Sequence, residues 1–447
     1  MSISPIPNRR ESPQSAAPAS GPSQDRYFEL KTRVHQKLLG VLNMDALKAV
    51  SRDRLRGEVR SVVEKILQDD RLPISMSERN RLVEEILDEV FGLGPLEPLL
   101  KDPTISDILV NTYKYVYIER HGKLLETGIR FQSDKHLTHI IEKIVSSMGR
   151  RIDESMPLVD ARLADGSRVN AIIPPLAVDG PSLSIRRFGR KVLTNEEMLA
   201  NQTLAPQMLE FLNACIVARF NIVISGGTGS GKTTFLNCLS RFIPEHERVV
   251  TIEDTAELQL QLENVIRMET RPPNIEGKGT ITQRQLLMTA LRMRPDRILL
   301  GEARGGEALD MLQAMGTGVE GSMTTVHANS PADAFSRLET MVMMAKLDLP
   351  SRFIRQQMAS VVHMVVQTAR LNDGSRKITH IAEVLGLSDM DILVKDIFVF
   401  ERTGLGENGQ VLGRFRGTGA LPRCMEQLRL AGLHVPPQLF EEVTPIH

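Results

Sequence analysis

The chain has 447 residues, and its 55 lysines and arginines are balanced by 55 aspartates and glutamates. That length suggests two or three domains, each able to bury its own core. A formal charge of zero argues against a wholesale nucleic-acid binder, which normally carries a strong basic excess. The three cysteines, Cys215, Cys238 and Cys424, are too few and too scattered for a disulfide framework or a four-ligand zinc site, and fit a reducing compartment.

Residues 1–25 are rich in Ser, Pro and Ala and offer little apolar surface, so a disordered tail is expected. Residues 26–92 read as a helical bundle. Leu30, Val34, Leu38 and Leu42 recur every four residues, and Val62 and Ile66 mark a second face. Ser75 and Glu78 have capping-box spacing before a third helix, whose stripe runs through Leu82, Val83, Ile86, Leu87, Val90 and Phe91. Residues 93–188 read as an α+β domain. It has a hairpin around His121-Gly122, a helix capped by Ser133 and a second hairpin around Asp165-Gly166. No apolar run approaches the ~18–20 residues that span a bilayer, and no charged start leads into a signal-peptide core. The short apolar runs Ala171–Val178 and Val361–Val366 read as buried strands instead, and a soluble, intracellular protein is expected. Residues 189–194 look like a linker.

From residue 195 to 447 strands and helices alternate. Apolar runs at Ile222–Ser225, Val249–Ile252, Ile298–Leu300 and Met323–Val326 are separated by helical stretches, which predicts an α/β domain with a parallel sheet covered on both faces. Beyond Val361 the strands crowd together, with a hairpin around Asn372-Asp373-Gly374.

The run Gly226-Gly227-Thr228-Gly229-Ser230-Gly231-Lys232-Thr233, followed by Thr234, matches a phosphate-binding loop. It lies between a predicted strand and a predicted helix, the position this chemistry requires. Glycines let successive backbone N–H groups turn toward phosphates at the helix's positive end. Lys232 would neutralise the β- and γ-phosphates of ATP, and the Thr233 hydroxyl would ligate Mg²⁺. Acids stand where other strands end: Glu253 and Asp254 after one, Glu302 after another. Each could reach Mg²⁺, mostly through water, and the sequence leaves open which glutamate orients the attacking water. His327 ends a further strand, from which an imidazole could sense the γ-phosphate.

These residues lie within recognisable motifs. Leu291–Arg304, with Pro295-Asp296 and Gly301-Glu302, resembles the signature of the type II/type IV secretion ATPase superfamily. Thr251–Glu257 resembles its aspartate box, and Thr324-Thr325-Val326-His327-Ala328-Asn329 its histidine box. Within that superfamily, the stretch from Arg271 to Met315 is most similar to the CpaF-like ATPases of tight-adherence (Tad/Flp) pili. The resemblance covers roughly residues 80–400. It implies a RecA-like ATPase domain in a homohexameric motor, cytoplasmic and peripheral to the inner membrane. Such a motor binds ATP between its domains and acts on pilin through an inner-membrane platform protein. By motif position it assigns catalytic or sensing roles to Glu253, Glu302 and His327. It also suggests that Arg168, Arg186, Arg187, Arg267 and Arg271 supply guanidinium to the γ-phosphate, sometimes across a subunit boundary. Guanidinium suits that task because it stabilises charge on the transferring oxygens; the bland alternative for each is a solvated strand edge.

The chain departs from the family pattern at Ala303, usually aliphatic there, and at Gly316 and Val319-Glu320, expected beside the nucleotide-sensing strand. Three cysteines exclude the four-cysteine zinc motif of the type II secretion and pilus-extension relatives. Two other readings weigh less. A nucleic-acid motor is weakened by the neutral charge and the 4% aromatic content, which leaves few stacking platforms. A nucleotide-regulated scaffold would bind ATP without turnover. A type IV secretion ATPase moving protein or DNA remains the alternative within the superfamily.

Overall fold

Hydrophobic periodicity decides which segments become helices and which become strands. The computed structural model describes residues 27, 30–34, 37–38, 52–69, 75–120, 122–187, 193–273, 278–345, 349–389 and 391–446. The tail expected over 1–25, Leu42 and most of the expected linker lie outside the described residues. The chain divides into two compact units, one formed essentially by residues before 188 and the other by those that follow.

In the first unit, helix α1 (Arg52–Asp69) precedes helix α2 (Met76–Phe91). Ser75 caps α2: its Oγ accepts the Glu78 N–H at 3.2 Å, and the Glu78 carboxylate accepts the Ser75 N–H at 2.8 Å. Val59, Val63 and Leu67 of α1 bury against Leu82, Val83, Ile86 and Leu87 of α2, together with Val34 and Leu38. The following sheet uses β1 (Ile105–Val110), β2 (Val116–Arg120), β3 (Lys123–Glu126), β4 (Leu158–Arg162), β5 (Arg168–Ile172) and β6 (Ser182–Arg186) in the order β3-β2-β1-β6-β5-β4. Helix α3 (Asp134–Ser146) places Leu137, Ile140, Ile141 and Ile144 in its core.

Two expectations need correction. The apolar run Ala171–Val178 is not one strand: β5 stops at Ile172, and Val178 is 92% exposed. Pro174 and Pro175 have no N–H to extend a ladder. The run Val361–Val366 is likewise split, because Val361 ends a helix and the next strand begins at Met364. A short apolar stretch cannot by itself distinguish a buried helix end from a buried strand.

The second unit contains a mixed ten-stranded sheet. Its strands are β7 (Ile222–Gly226), β8 (Val249–Glu253), β9 (Val265–Glu269), β10 (Arg297–Leu300), β11 (Met323–Val326), β12 (Met364–Arg370), β13 (Arg376–Ser388), β14 (Asp391–Leu405), β15 (Val411–Gly417) and β16 (Val443–Ile446). Their order is β16-β15-β14-β13-β12-β7-β11-β10-β8-β9. Pairing is parallel from β12 through β7, β11, β10 and β8 to β9, and antiparallel from β12 to β16. Helices α4 (Pro206–Val217) and α5 (Lys232–Leu239) belong to the core on one face. The other core takes in α6 (Gln283–Ala290), α7 (Glu307–Gly316), α8 (Pro331–Met344) and α9 (Ser351–Val361). This is the expected α/β architecture with a parallel-containing sheet.

Parallel strands bring the ends of β7, β8, β10 and β11 to one edge, where open α/β sheets bind ligands. The departures at Gly316 and Val319-Glu320 precede β11 and so stand at the opposite edge, whereas Ala303 follows β10 on the ligand edge. Gly316 and Val319-Glu320 thus lie beside the start of β11, as expected, at the end of that strand away from His327.

That opposite edge carries a buried ion pair. Arg297 is fully buried, and its guanidinium donates to Glu247 through Nε and, at 3.1 Å, through Nη2; Arg219 also reaches Glu247 at 3.1 Å. Burial pushes the Glu247 carboxyl up, but the bonds from Arg297 and Arg219 outweigh it and hold the group below the usual carboxylate range. Its contribution to stability is therefore present above that range and lost as pH falls below it. In urea unfolding at pH 7, Glu247→Gln is expected to lose about 3–5 kcal/mol, because Arg297 keeps a buried charge without a counterion. The variant should also lack the parent's additional acid sensitivity from this group.

Candidate active site

The glycine-rich loop leaves the end of β7 and enters α5 at Lys232. Gly231 is the N-cap with φ of +95°, a conformation L side chains rarely adopt, which explains glycine at that motif position. Lys232 is only 7% exposed, and its ammonium donates to the carbonyls of Gly226 at 3.0 Å and Gly227 at 3.1 Å. Gly227 and Thr228 are exposed at the loop's outer turn, Ser230 is buried, and Thr233 and Thr234 follow Lys232 in the first turn of α5.

A chain of polar contacts runs from this lysine across the strand ends. Lys232 Nζ lies 3.3 Å from His327 Nδ1, and His327 Nε2 lies 2.6 Å from Glu302 Oε1. The other Glu302 oxygen accepts Arg304 Nε at 2.8 Å, and Arg304 Nη1 stands 3.3 Å from Asp254 Oδ2. Burial and the Lys232 ammonium hold His327 below its ordinary pKa, so the imidazole is neutral at pH 7. A tautomer with its proton on Nε2 faces the Glu302 carboxylate and leaves the Nδ1 lone pair toward Lys232. The structure thus brings together Lys232, His327, Glu302 and Asp254.

Glu253, the last residue of β8, is 3% exposed. Its Oε2 accepts the backbone N–H groups of Glu257 at 2.8 Å and Leu258 at 2.9 Å, while its buried Oε1 has no hydrogen-bond partner. Burial pushes the carboxyl up to about 7 despite those two bonds. Gly301 makes room for it: a Cβ there would lie 2.9 Å from Glu253 Cγ. A half-satisfied buried carboxyl with a near-neutral pKa has the properties of a proton acceptor.

The arginines divide between the units. Arg267 is an exposed residue of β9 whose charge acts on Glu253. Arg271 follows that strand and donates from Nε to the Gly279 carbonyl at 2.7 Å. Arg168, Arg186 and Arg187 belong to the first unit. Arg168 and Arg186 are register partners across β5 and β6, and Arg187 donates to the carbonyls of Asp102 and Ile105.

Two profiles of known families cover most of this chain. The one described as type II/IV secretion system protein matches residues 89–392, and that of the type II secretion system protein E N-terminal domain matches residues 27–91. The chain belongs to the type II/IV secretion system protein family. It is 34% identical over 313 residues to the type IV secretion system protein PtlH of Bordetella pertussis, covering 64% of this chain and 92% of PtlH. It is 32% identical over 302 residues to the conjugal transfer protein TrbB of Rhizobium radiobacter, covering 66% of this chain and 88% of TrbB. Among solved structures, the VirB11 ATPase of the Brucella suis type IV secretion system, in complex with sulphate, aligns with 30% identity and a TM-score of 0.36, over 66% of this chain and 97% of that one.

For this family member, sequence reasoning missed the residues that fix the site from outside the motifs. Arg304 was visible within its motif, but nothing in the linear order showed that it joins Glu302 to Asp254. Gln367 and Thr368 come from β12, far along the chain. Gln367 accepts from Ser225 Oγ and donates to the Ala328 carbonyl at 3.2 Å, next to His327, while Thr368 Oγ1 and Ser230 Oγ share a hydrogen bond of 2.7 Å. They tie the glycine-rich loop to the histidine segment.

The Glu253 pKa sets a pH dependence. An acid whose folded pKa is raised costs stability as pH climbs from its ordinary range toward 7. Without added divalent metal, Glu253→Gln should gain stability relative to the parent between pH 5 and pH 8, on the order of 2–3 kcal/mol. Parallel unfolding curves at the two pH values would count against the assigned burial.

Proposed function

We propose that this chain binds Mg·ATP on the phosphate-binding loop and hydrolyses it to drive a secretion- or pilus-type machine. The observation that carries this reading is the chain Lys232–His327–Glu302–Arg304–Asp254, which joins the loop to carboxylates at the ends of neighbouring strands. Lys232 would leave its own loop's carbonyls for the β- and γ-phosphates. Neutral His327 would then lie between those phosphates and Glu302, where it reports whether a γ-phosphate is present. Glu302 is held by Arg304 through one oxygen and faces His327 with the other, so it suits an organising role. Glu253, with one unengaged oxygen and a pKa near 7, suits removal of the attacking water's proton.

The residues fit Mg²⁺, a hard cation that prefers oxygen donors and is usually shared with substrate phosphates. Among the described residues no cluster of three or more His, Cys, Asp or Glu forms a metal cage, so the ion would rely on the phosphates together with protein oxygens. Thr233 would contribute its hydroxyl, and Glu253, Asp254 and Glu302 would act through water. When bound, the ion neutralises charge on the transferring phosphoryl group. The arginines Arg168, Arg186, Arg187, Arg267 and Arg271 remain candidates for guanidinium donation within a ring.

The working form we infer is a homohexamer on the cytoplasmic side of an inner-membrane platform protein. Among the described residues no helix is long and apolar enough to cross a membrane. The motif likeness over residues 271–315 supports a Tad/Flp pilus motor acting indirectly on pilin. The relatives PtlH and TrbB favour a second reading, a type IV secretion or conjugal transfer motor. Deletion in the host separates the two by which is lost, surface pili or secreted cargo.

Lys232→Ala is expected to abolish both binding of a fluorescent ATP analogue and ATP hydrolysis; unchanged affinity would contradict the loop assignment. Glu253→Gln and Glu302→Gln should keep nucleotide binding yet lower turnover, by roughly 10²–10⁴-fold for Glu253 if it is the base. Full turnover in both variants would contradict these roles, whereas a parent that binds ATP without hydrolysing it would point to a nucleotide-binding scaffold.

A further inference from the structure

The phosphate-binding loop has two flanks, because β7 lies between β11 and β12. The β11 flank carries His327, with Glu302 and Asp254 beyond it. On the other flank β12 runs parallel to β7 and turns back into β13. Arg370, the last residue of β12, and Arg376, the first of β13, are register partners at the mouth of this hairpin, and both are exposed.

The hairpin mouth lies against the loop's outer turn. Arg376 Nε donates to the Gly229 carbonyl at 2.9 Å. A Cβ on Gly231 would stand 3.2 Å from Arg376 Cδ, and one on Gly229 would stand 3.6 Å from Arg370 Nη1. The acid in the turn, Asp373, is engaged elsewhere. Its Oδ1 accepts the Ser375 N–H at 2.9 Å and hydroxyl at 2.7 Å, and its Oδ2 accepts the Val411 N–H at 2.7 Å. Like charges directly opposite each other across an antiparallel pair cost stability, and a phosphate between them relieves that cost. Two guanidinium groups are also the natural partners of a phosphate's paired oxygens.

The direction of the nucleotide follows from Lys232. Its ammonium leans toward His327, so the terminal phosphates belong on the β11 flank and the nucleoside end on the β12 flank. We propose that Arg370 and Arg376 grip the α-phosphate at the nucleoside end of bound ATP. They do so from within the same chain, while Arg376 braces the loop through the Gly229 carbonyl. This rests on reading the loop as an ATP site and adds a nucleoside-side clamp to it.

The test uses the full-length protein and a fluorescent ATP analogue, displaced in turn by ATP, ADP and inorganic pyrophosphate, with Lys232→Ala as reference. A charge-assisted hydrogen bond is worth about 1.5–3 kcal/mol, so Arg370→Ala and Arg376→Ala should each weaken ATP and ADP by about tenfold or more. Pyrophosphate, which can be held by Lys232 and the loop without the nucleoside end, should change less than about twofold. The Arg370→Lys, Arg376→Lys double variant keeps both charges but loses the guanidinium fork, and should fall between parent and alanine variants. Equal weakening of all three competitors would make the arginines loop braces only, and unchanged ATP and ADP affinity would remove them from the site; either overturns the clamp while leaving the ATP reading intact. A parent protein that binds no ATP overturns both.

Discussion

A lysine ammonium taken almost entirely out of water is the interaction around which the second unit is organised. Such a charge is tolerated only where dipoles or counter-charges surround it. Lys232 meets this condition with two carbonyls of its own loop and with a neutral imidazole, which does not repel it as an imidazolium would. The balancing negative charge lies one step further away, on Glu302, itself fixed by Arg304. Phosphate oxygens are better partners for the ammonium than carbonyls are. On the proposed reading, a nucleotide would exchange one set of bonds for a stronger one and carry the change to His327 and Glu302.

The sheet makes this possible by separating chemistry from anchorage. At the ligand edge, Thr325 Oγ1 donates to the Gly301 carbonyl at 2.7 Å and the Ala303 N–H donates to the Thr325 carbonyl at 2.9 Å, locking the end of β10 to β11. At the opposite edge, Asn221 donates to the carbonyls of Met315 and Val361 and accepts the Ser322 N–H, while Arg297 pairs with Glu247. These buried, largely satisfied networks hold the strands in register. Glu302 and Asp254, just past the ends of those strands, are then close enough for Arg304 to bridge them.

Much of this was legible in the sequence because its signals are local. A glycine-rich loop between an apolar run and a helix specifies a backbone shape, and acids placed directly after apolar runs fall at one edge once the strands are parallel. The capping box at Ser75 and the hairpin at Asp373-Gly374 are local in the same sense. What could not be read depends on distance in the fold. Arg304 becomes a bridge only when β8 and β10 are neighbours, and Gln367, Thr368, Arg370 and Arg376 meet the loop only because β12 pairs with β7. The run Val361–Val366 misled because burial, not period, made it apolar. The value of Arg168, Arg186 and Arg187 to the site is a question of assembly, which local pattern does not encode.

The most direct measurement is a structure of the protein with Mg²⁺ and a non-hydrolysable ATP analogue. The account predicts that Lys232 Nζ leaves the Gly226 and Gly227 carbonyls for the phosphates, with the metal on the Thr233 hydroxyl and His327 still beside Glu302. An analogue bound away from the loop, or Lys232 still held by both carbonyls with nucleotide present, would contradict it.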